Sequence, residues 1–171
     1  MRVSYALPQG KSLPDPNCAR MEGYQAVLFD LYGTLVDGRG EAVAGARELL
    51  ASLPLRRVAI VTSATRSIAA MLLERALVPY PGVIVTADDV ARGKPAPDCY
   101  LLAAARLGVA PPACVVVEDS EHGIDAAVDA GMDAIAIVRG RGTAFGRRAT
   151  RLIERLADLH LRAAPDGIAI D

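Results

Sequence analysis

Tryptophan is absent from this chain, phenylalanine occurs twice, and aromatic residues make up 4% of its 171 positions. A core without large rings must be built from Ala, Val, Leu and Ile, and hydrophobic residues reach 52%. That composition suits buried parallel strands covered by helices. Rings this sparse also offer no platform on which nucleic-acid bases could stack. Charge of one sign is missing: the formal net charge is -1, so no global field draws nucleic acid or a membrane surface. The longest apolar runs are only of strand length, which excludes a bilayer-spanning helix. The first residues lack the apolar centre of a signal peptide. Cys18, Cys99 and Cys114 are odd in number, scattered, and form no CxxC pair; a reducing, cytoplasmic setting is expected. Lysine is nearly absent too, with Lys11 and Lys94 set among 19 basic residues. A chain that writes Arg almost everywhere singles out the places where it writes Lys.

What is present is an alternation. Residues 1–22 carry Pro8, Pro14, Pro16 and Gly10 with little periodicity, and are expected to be a disordered or loosely docked arm. From Tyr24 onward, a single domain over residues 23–171 is expected. Short apolar runs, rich in β-branched residues, predict strands at Ala26–Phe29, Val58–Val61, Val83–Val85, Val115–Val117 and Ala134–Val138. Between and after them, periodic patterns predict helices at Ala42–Leu53, Ser67–Leu77, Pro97–Leu107, Gly123–Ala130 and Ala149–Leu159. Gly108 and Gly131 stand where helices should stop. A last run, Gly167–Ile170, reads as an added edge strand. Strands alternating with helices predict an α/β fold with a doubly wound parallel sheet.

The polar residues gather at one kind of place. Asp30, the Thr62-Ser63 pair and the Glu118-Asp119 pair each follow a predicted strand. In an open parallel sheet these positions share the carboxyl edge, where ligands bind. Asp30 opens the string Phe29-Asp-Leu-Tyr-Gly-Thr-Leu-Val-Asp37. A carboxylate at a strand end can act as a nucleophile, and Gly33 permits a tight turn whose N–H groups could face an anion. Taken alone, the string is better read as an Asp that ends a strand before a glycine turn. Glu118 and Asp119 together with Asp30 offer hard oxygen ligands suited to Mg²⁺. An acidic pair opening a helix has a plainer use in the helix dipole, but that use does not explain convergence with Asp30. Thr62 and Ser63 are both candidates for a ligand-binding hydroxyl, Thr62 being favoured because it follows the strand directly; Ser63 or Thr65 could instead cap the next helix. His122 reads as helix-start surface. Five arginines and no acid lie between Arg139 and Arg151, a pattern of solvated loops that would also serve phosphate. Gly140-Arg-Gly142 lacks the full GxGxxG and comes too late in the chain for a dinucleotide site.

The string at Asp30 resembles the first motif, DxDGT, of the haloacid dehalogenase-like superfamily. The likeness extends from Tyr24 to the end of the chain. Val61-Thr62-Ser63 matches the second motif, and Lys94 in Arg92-Gly-Lys-Pro-Ala-Pro-Asp-Cys-Tyr100 the third. Val115-Val-Val-Glu-Asp-Ser-Glu-His-Gly-Ile-Asp-Ala-Ala127 matches the fourth. The last two are similar to the branch that holds β-phosphoglucomutase and small sugar or glycerol phosphatases. The resemblance implies a Rossmann-like core, Asp30 as the nucleophile and a hydroxyl at Thr62 or Ser63 on the transferring group. It further implies Lys94 beside both, and Mg²⁺ held by Asp30, Glu118, Asp119 and a backbone carbonyl near Tyr32. A compact ammonium suits the place of Lys94 better than a planar guanidinium.

Two departures qualify the resemblance. Phosphatases of the superfamily carry a second Asp two positions after the nucleophile, as general acid and base; here that position is Tyr32. The family's 2-haloacid dehalogenases have Tyr there, but use no Mg²⁺ and lack the Glu-Asp pair. A phenol of ordinary pKa about 10 is a poor base at neutral pH. The cap domain found between the first and second motifs of the resembled branch is also missing, which predicts an open site. The expectation is a capless Mg²⁺-dependent hydrolase of small phosphorylated metabolites that works through an aspartyl-phosphate, with catalysis by Asp30, Tyr32, Thr62, Ser63 and Lys94. A 2-haloacid dehalogenase and a weakened member kept as a binding or scaffold protein are the alternatives. Neither nucleic acid nor membrane is an expected partner, and a second copy of the chain, as a homo-oligomer, could cover the open site.

Overall fold

The computed structural model describes residues 23–142 and 144–171. The expected arm at 1–22, with Lys11 and Cys18, lies outside them. The elements run β1 (Ala26–Asp30), α1 (Ala46–Ser52), β2 (Val58–Val61), α2 (Arg66–Ala76), β3 (Val83–Val85), α3 (Asp98–Leu107), β4 (Cys114–Glu118), α4 (Glu121–Asp129), β5 (Asp133–Ile137), β6 (Arg151–Ile153), β7 (Leu161–Ala164) and β8 (Gly167–Ile170). Six strands form one sheet in the order β3-β2-β1-β4-β5-β6, every pairing in it parallel. The strand order reverses between β1 and β4, the switch point at which open α/β sheets bind ligands.

Alternation along each strand builds two cores. Val27 and Phe29 of β1 face α1 and α2, which contribute Leu49, Leu50, Ala69, Leu72 and Leu73. Ala26 and Leu28 face α3 and α4 on the other side, where Ala59, Ala103, Ala104, Ala126, Ala127, Ala134 and Ala136 gather. Alanine on both strand and helix lets those helices lie close to the sheet, and it compensates for the missing rings. Tyr100 of α3 is the large exception and is fully buried. Gly108 ends α3 with a left-handed φ of 67°, the conformation of a helix stop. Among the described residues no helix is long and apolar enough to cross a membrane.

The structure corrects the reading in three places. Residues 149–159 form no α-helix: Arg151–Ile153 pairs in parallel with β5 and Leu156–Asp158 makes a single 3-10 turn. The buried residues Ile153, Leu156 and Leu159 repeat every third position, which imitates a helical stripe. Gly167–Ile170 is a strand but not an edge of the main sheet; it pairs antiparallel with β7 and exchanges two hydrogen bonds with Tyr24. Helix α1 starts four residues late, because Ala42 bridges Val36 and Gly45 turns left-handed at φ 85° before the helix begins. The whole link between β1 and β2 consists of this loop, α1 and a 3-10 turn.

Candidate active site

Strand β1 delivers Asp30 to the carboxyl edge, with β2 and β4 on either side. Its Oδ1 accepts from Lys94 Nζ at 2.7 Å, while its Oδ2 is buried without a hydrogen-bond partner. Burial pushes the Asp30 carboxyl up to about 7; Lys94 opposes the rise, and the Glu118 and Asp119 charges add to it.

Lys94 reaches the same point from the loop before α3. Besides Asp30, its ammonium donates to Glu118 Oε1 at 2.5 Å and to the Val61 carbonyl at 3.2 Å. It also stands 5.2 Å from the centre of the Tyr100 ring. Burial favours the neutral amine, but two carboxylates outweigh it and raise the Lys94 pKa above its ordinary value. A guanidinium would not fit so compact a set of acceptors.

Glu118 is completely inaccessible. Its Oε1 also accepts from the Tyr100 hydroxyl at 3.0 Å. Its Oε2 accepts from the N–H groups of Asp119 and Ser120, each at 2.9 Å, and from the Ser120 hydroxyl at 3.0 Å. Burial alone would raise its pKa; Lys94 and then Ser120 reverse the direction and keep it ionised. Glu118 therefore ties Lys94, α3 and the start of α4 together. Asp119 is half-buried, and its pKa is raised by burial and by Glu118, with Arg139 and Arg141 opposing.

Two glycines make room for these acids. A Cβ on Gly123 would fall 1.7 Å from Glu118 Oε1, and one on Gly33 would fall 2.4 Å from Asp119 Oδ2. Gly33 also holds φ at 93°, a region costly for other residues. Of the turn N–H groups expected to face an anion, that of Gly33 does not, since it donates to the Val36 carbonyl at 2.7 Å, closing the turn. The function of Gly33 is to let Asp119 approach.

One carboxylate oxygen each from Asp30, Glu118 and Asp119 lie within 4.8 Å of one another. Hard oxygen donors at this spacing, one carboxylate having a buried oxygen without a donor, fit a hard divalent cation. The other sequence candidates stand around them. Thr62, Ser63, Tyr32 and Lys94 line a cavity of about 430 Å³ with Asp30, Asp119, Ile68 and Leu72. Thr62 is buried and its hydroxyl accepts from the Ala64 N–H at 3.1 Å; Ser63 is exposed. Thr65 holds the cap position of α2 without capping it through its side chain; Asp88 accepts from the Arg66 N–H instead. Tyr32 is 55% exposed at the mouth, and His122 is exposed on the first turn of α4. The basic stretch is not simply solvated: Arg139 and Arg141 turn back onto Asp119.

The model of the haloacid dehalogenase-like hydrolases matches residues 39–131, more than half of the chain. The chain belongs to this family. It is similar to hexitol phosphatase A of Escherichia coli K12, at 38% identity over 131 residues that span 75% of this chain and 61% of that protein. It is also similar to the fructose-1-phosphate phosphatase YqaB of the same organism, at 47% over 83 residues, 48% of this chain and 44% of that one. The chain thus spans about half the length of these curated relatives. A HAD family hydrolase from Deinococcus radiodurans R1, solved with bound phosphate and sodium, superposes with a TM-score of 0.72 at 25% identity, covering 80% of this chain and 93% of that one.

Within the family frame, the sequence missed Tyr100, Ser120, Gly123 and Arg139. Tyr100 closed the third-motif string, but nothing there gave its hydroxyl a role. Ser120 followed the acidic pair at a helix start, a capping signal, and its hydroxyl does accept from the Gly123 N–H at 3.1 Å. Gly123 stood only within the fourth motif and Arg139 only at the head of the basic stretch; their parts depend on where Glu118 and Asp119 place their carboxylates.

Proposed function

We propose that the chain is a Mg²⁺-dependent phosphatase of small phosphate monoesters that works through Asp30. The observation that carries this reading is the convergence of the Asp30 carboxylate, the Lys94 ammonium and the Thr62 and Ser63 hydroxyls on one cavity at the sheet's carboxyl edge. A Mg²⁺ ion held by Asp30, Asp119, Glu118 and the Tyr32 carbonyl would supply positive charge where the transferring phosphoryl group gathers negative charge. Asp30 attacks phosphorus, forming a carboxylate–phosphorus bond as the bond to the leaving oxygen breaks. Lys94, pinned by Glu118, offsets charge beside the nucleophile, and Thr62 or Ser63 orients the phosphoryl oxygens by donating a hydrogen bond. Water then attacks phosphorus, releasing phosphate and restoring Asp30. Tyr32 occupies the place of the group that would give the leaving alcohol its proton and later activate water. With a phenol there, turnover favours leaving groups that depart as stable anions. The link between β1 and β2 holds only a loop, α1 and a 3-10 turn, and this reading treats the site as capless and open to small phosphate esters.

Tyr32 itself favours a second reading, a 2-haloacid dehalogenase, in which Asp30 attacks carbon and halide leaves. Phosphate release from a panel of monoesters, with Mg²⁺ and with chelator, separates the two. Mg²⁺-dependent release supports the phosphatase; metal-independent halide release from 2-haloacids replaces it with the dehalogenase. A folded protein that does neither is a binding member of the family.

A further inference from the structure

The link after β5 opens a basic stretch that phosphoryl transfer leaves unused. Its first arginine, although exposed, turns back onto the acidic cluster. Arg139 Nη1 pairs with Asp119 Oδ2 at 3.2 Å, and Nη2 donates to the Gly33 carbonyl. The guanidinium thus bridges the loop after β1 and the acid after β4. Its backbone is set for this: Arg139 takes a left-handed φ of 46°, uncommon for a long side chain. Its N–H donates to the Glu154 carbonyl at 3.3 Å, and the Gly140 N–H donates to Glu154 Oε2 at 2.8 Å. Arg141 braces the same acid from behind. It donates to the Asp119 carbonyl at 2.7 Å and to the Ile137 carbonyl at 2.8 Å, and it stacks 3.7 Å from the centre of the Phe145 ring.

We propose that Arg139 is a resident counter-cation of Asp119 that weakens the acidic cluster's hold on a divalent ion while keeping the cluster assembled without one. The inference rests on the metal reading above. Asp119 is the most accessible carboxylate of the three, with 17% of its side chain exposed against 10% for Asp30 and none for Glu118. One of its two oxygens is engaged by a permanent positive charge. A dication arriving at the other oxygen meets a carboxylate whose field is already partly spent, and a like charge beside it. With Arg139 in place the three acids do not repel one another apart when the metal leaves.

Calorimetric titration of the intact protein with Mg²⁺ tests this, alongside Arg139→Met and Arg139→Lys, and with melting temperatures measured in chelator and in saturating Mg²⁺. Arg139→Met is expected to bind Mg²⁺ about fivefold more tightly, the scale of a partly exposed ion pair. It should also melt lower in chelator and recover most of that loss with the metal. Arg139→Lys keeps the charge and should stay within about twofold of the parent. Unchanged or weaker Mg²⁺ binding by Arg139→Met overturns the inference, as does equal tightening in both variants, since charge would then not be the cause. If the parent binds no divalent ion at all, the metal reading fails and this inference with it. A parent that binds while the variants do not differ overturns this inference alone.

Discussion

Two carboxylates, Glu118 and Asp119, and one ammonium meet around Asp30, and the balance leaves Asp30 as the group that keeps a proton near neutrality in the absence of metal. Its ordinary value of 3.8 rises to about 7, through burial first and then Glu118 and Asp119. A carboxyl whose pKa is higher in the folded than in the unfolded state binds more protons when folded. Its contribution to stability is therefore lost as pH rises from about 4 to about 7. In chelator, the parent should lose melting temperature over that range relative to Asp30→Asn; parallel curves for the two proteins would contradict the assignment. Tyr32 gives a second expectation. Aryl phosphates need no proton on departure, whereas alkyl phosphates do, and positioned acid–base catalysis contributes roughly 10²–10⁴-fold. The parent should favour aryl over alkyl esters strongly, and Tyr32→Asp should narrow the ratio of their rates. If alkyl esters already turn over efficiently and the substitution changes nothing, another group supplies the proton, with His122 the first to test. At this scale the sequence showed residues whose place is set by a strand end, Asp30, Thr62 and Asp119, and Lys94, marked by the rarity of lysine. It did not show residues defined by what they touch. Tyr100 matters because its hydroxyl reaches Glu118, and Gly33 because Asp119 lies over it.

Helix α4 shows how an element carries the site. Ser120 caps it and also donates to Glu118, so the start of the helix and the end of β4 are locked together. Gly123 sits in its first turn, where alanine would ordinarily improve helix stability by about 1 kcal/mol. Here a Cβ would lie 1.7 Å from a Glu118 oxygen that is pinned by Lys94 and Tyr100. Gly123→Ala should therefore destabilise, by on the order of 2 kcal/mol or more, in equilibrium denaturation; a gain in stability would show that Glu118 is free to move. The same reasoning explains which elements the sequence showed. Strands buried on both faces, such as β1 and β4, are continuous apolar runs bounded by polar residues, and they were legible. Strand β6 has one buried residue in three and lies at the sheet edge, so nothing in its pattern separates it from a helix turn. The pairing of β8 with β7, and its contact with Tyr24, depends on the return path of the chain, which periodicity does not encode.

For the whole molecule, the six-stranded parallel sheet brings β1, β2 and β4 side by side and leaves their carboxyl ends to a cavity of about 430 Å³. The parallel α/β sheet was legible in the alternation of the sequence, and the four motifs in the family resemblance; the order of the strands was not, because winding rules narrow the possible orders without choosing among them. A bound divalent ion stabilises the folded state alone. Mg²⁺ should therefore raise the melting temperature of the parent, and Asp119→Ala should abolish that rise; an equal rise in both would place the ion elsewhere. The central claim is that phosphoryl groups pass through Asp30. Its most direct test is a single turnover with an aryl ester carrying a radiolabelled phosphoryl group, quenched in acid and followed by peptide mapping. Label is expected on the peptide containing Asp30 in Mg²⁺, lost as phosphate is released, and absent from Asp30→Asn. Phosphate release at an undiminished rate by Asp30→Asn, with no labelled peptide in the parent, would contradict it.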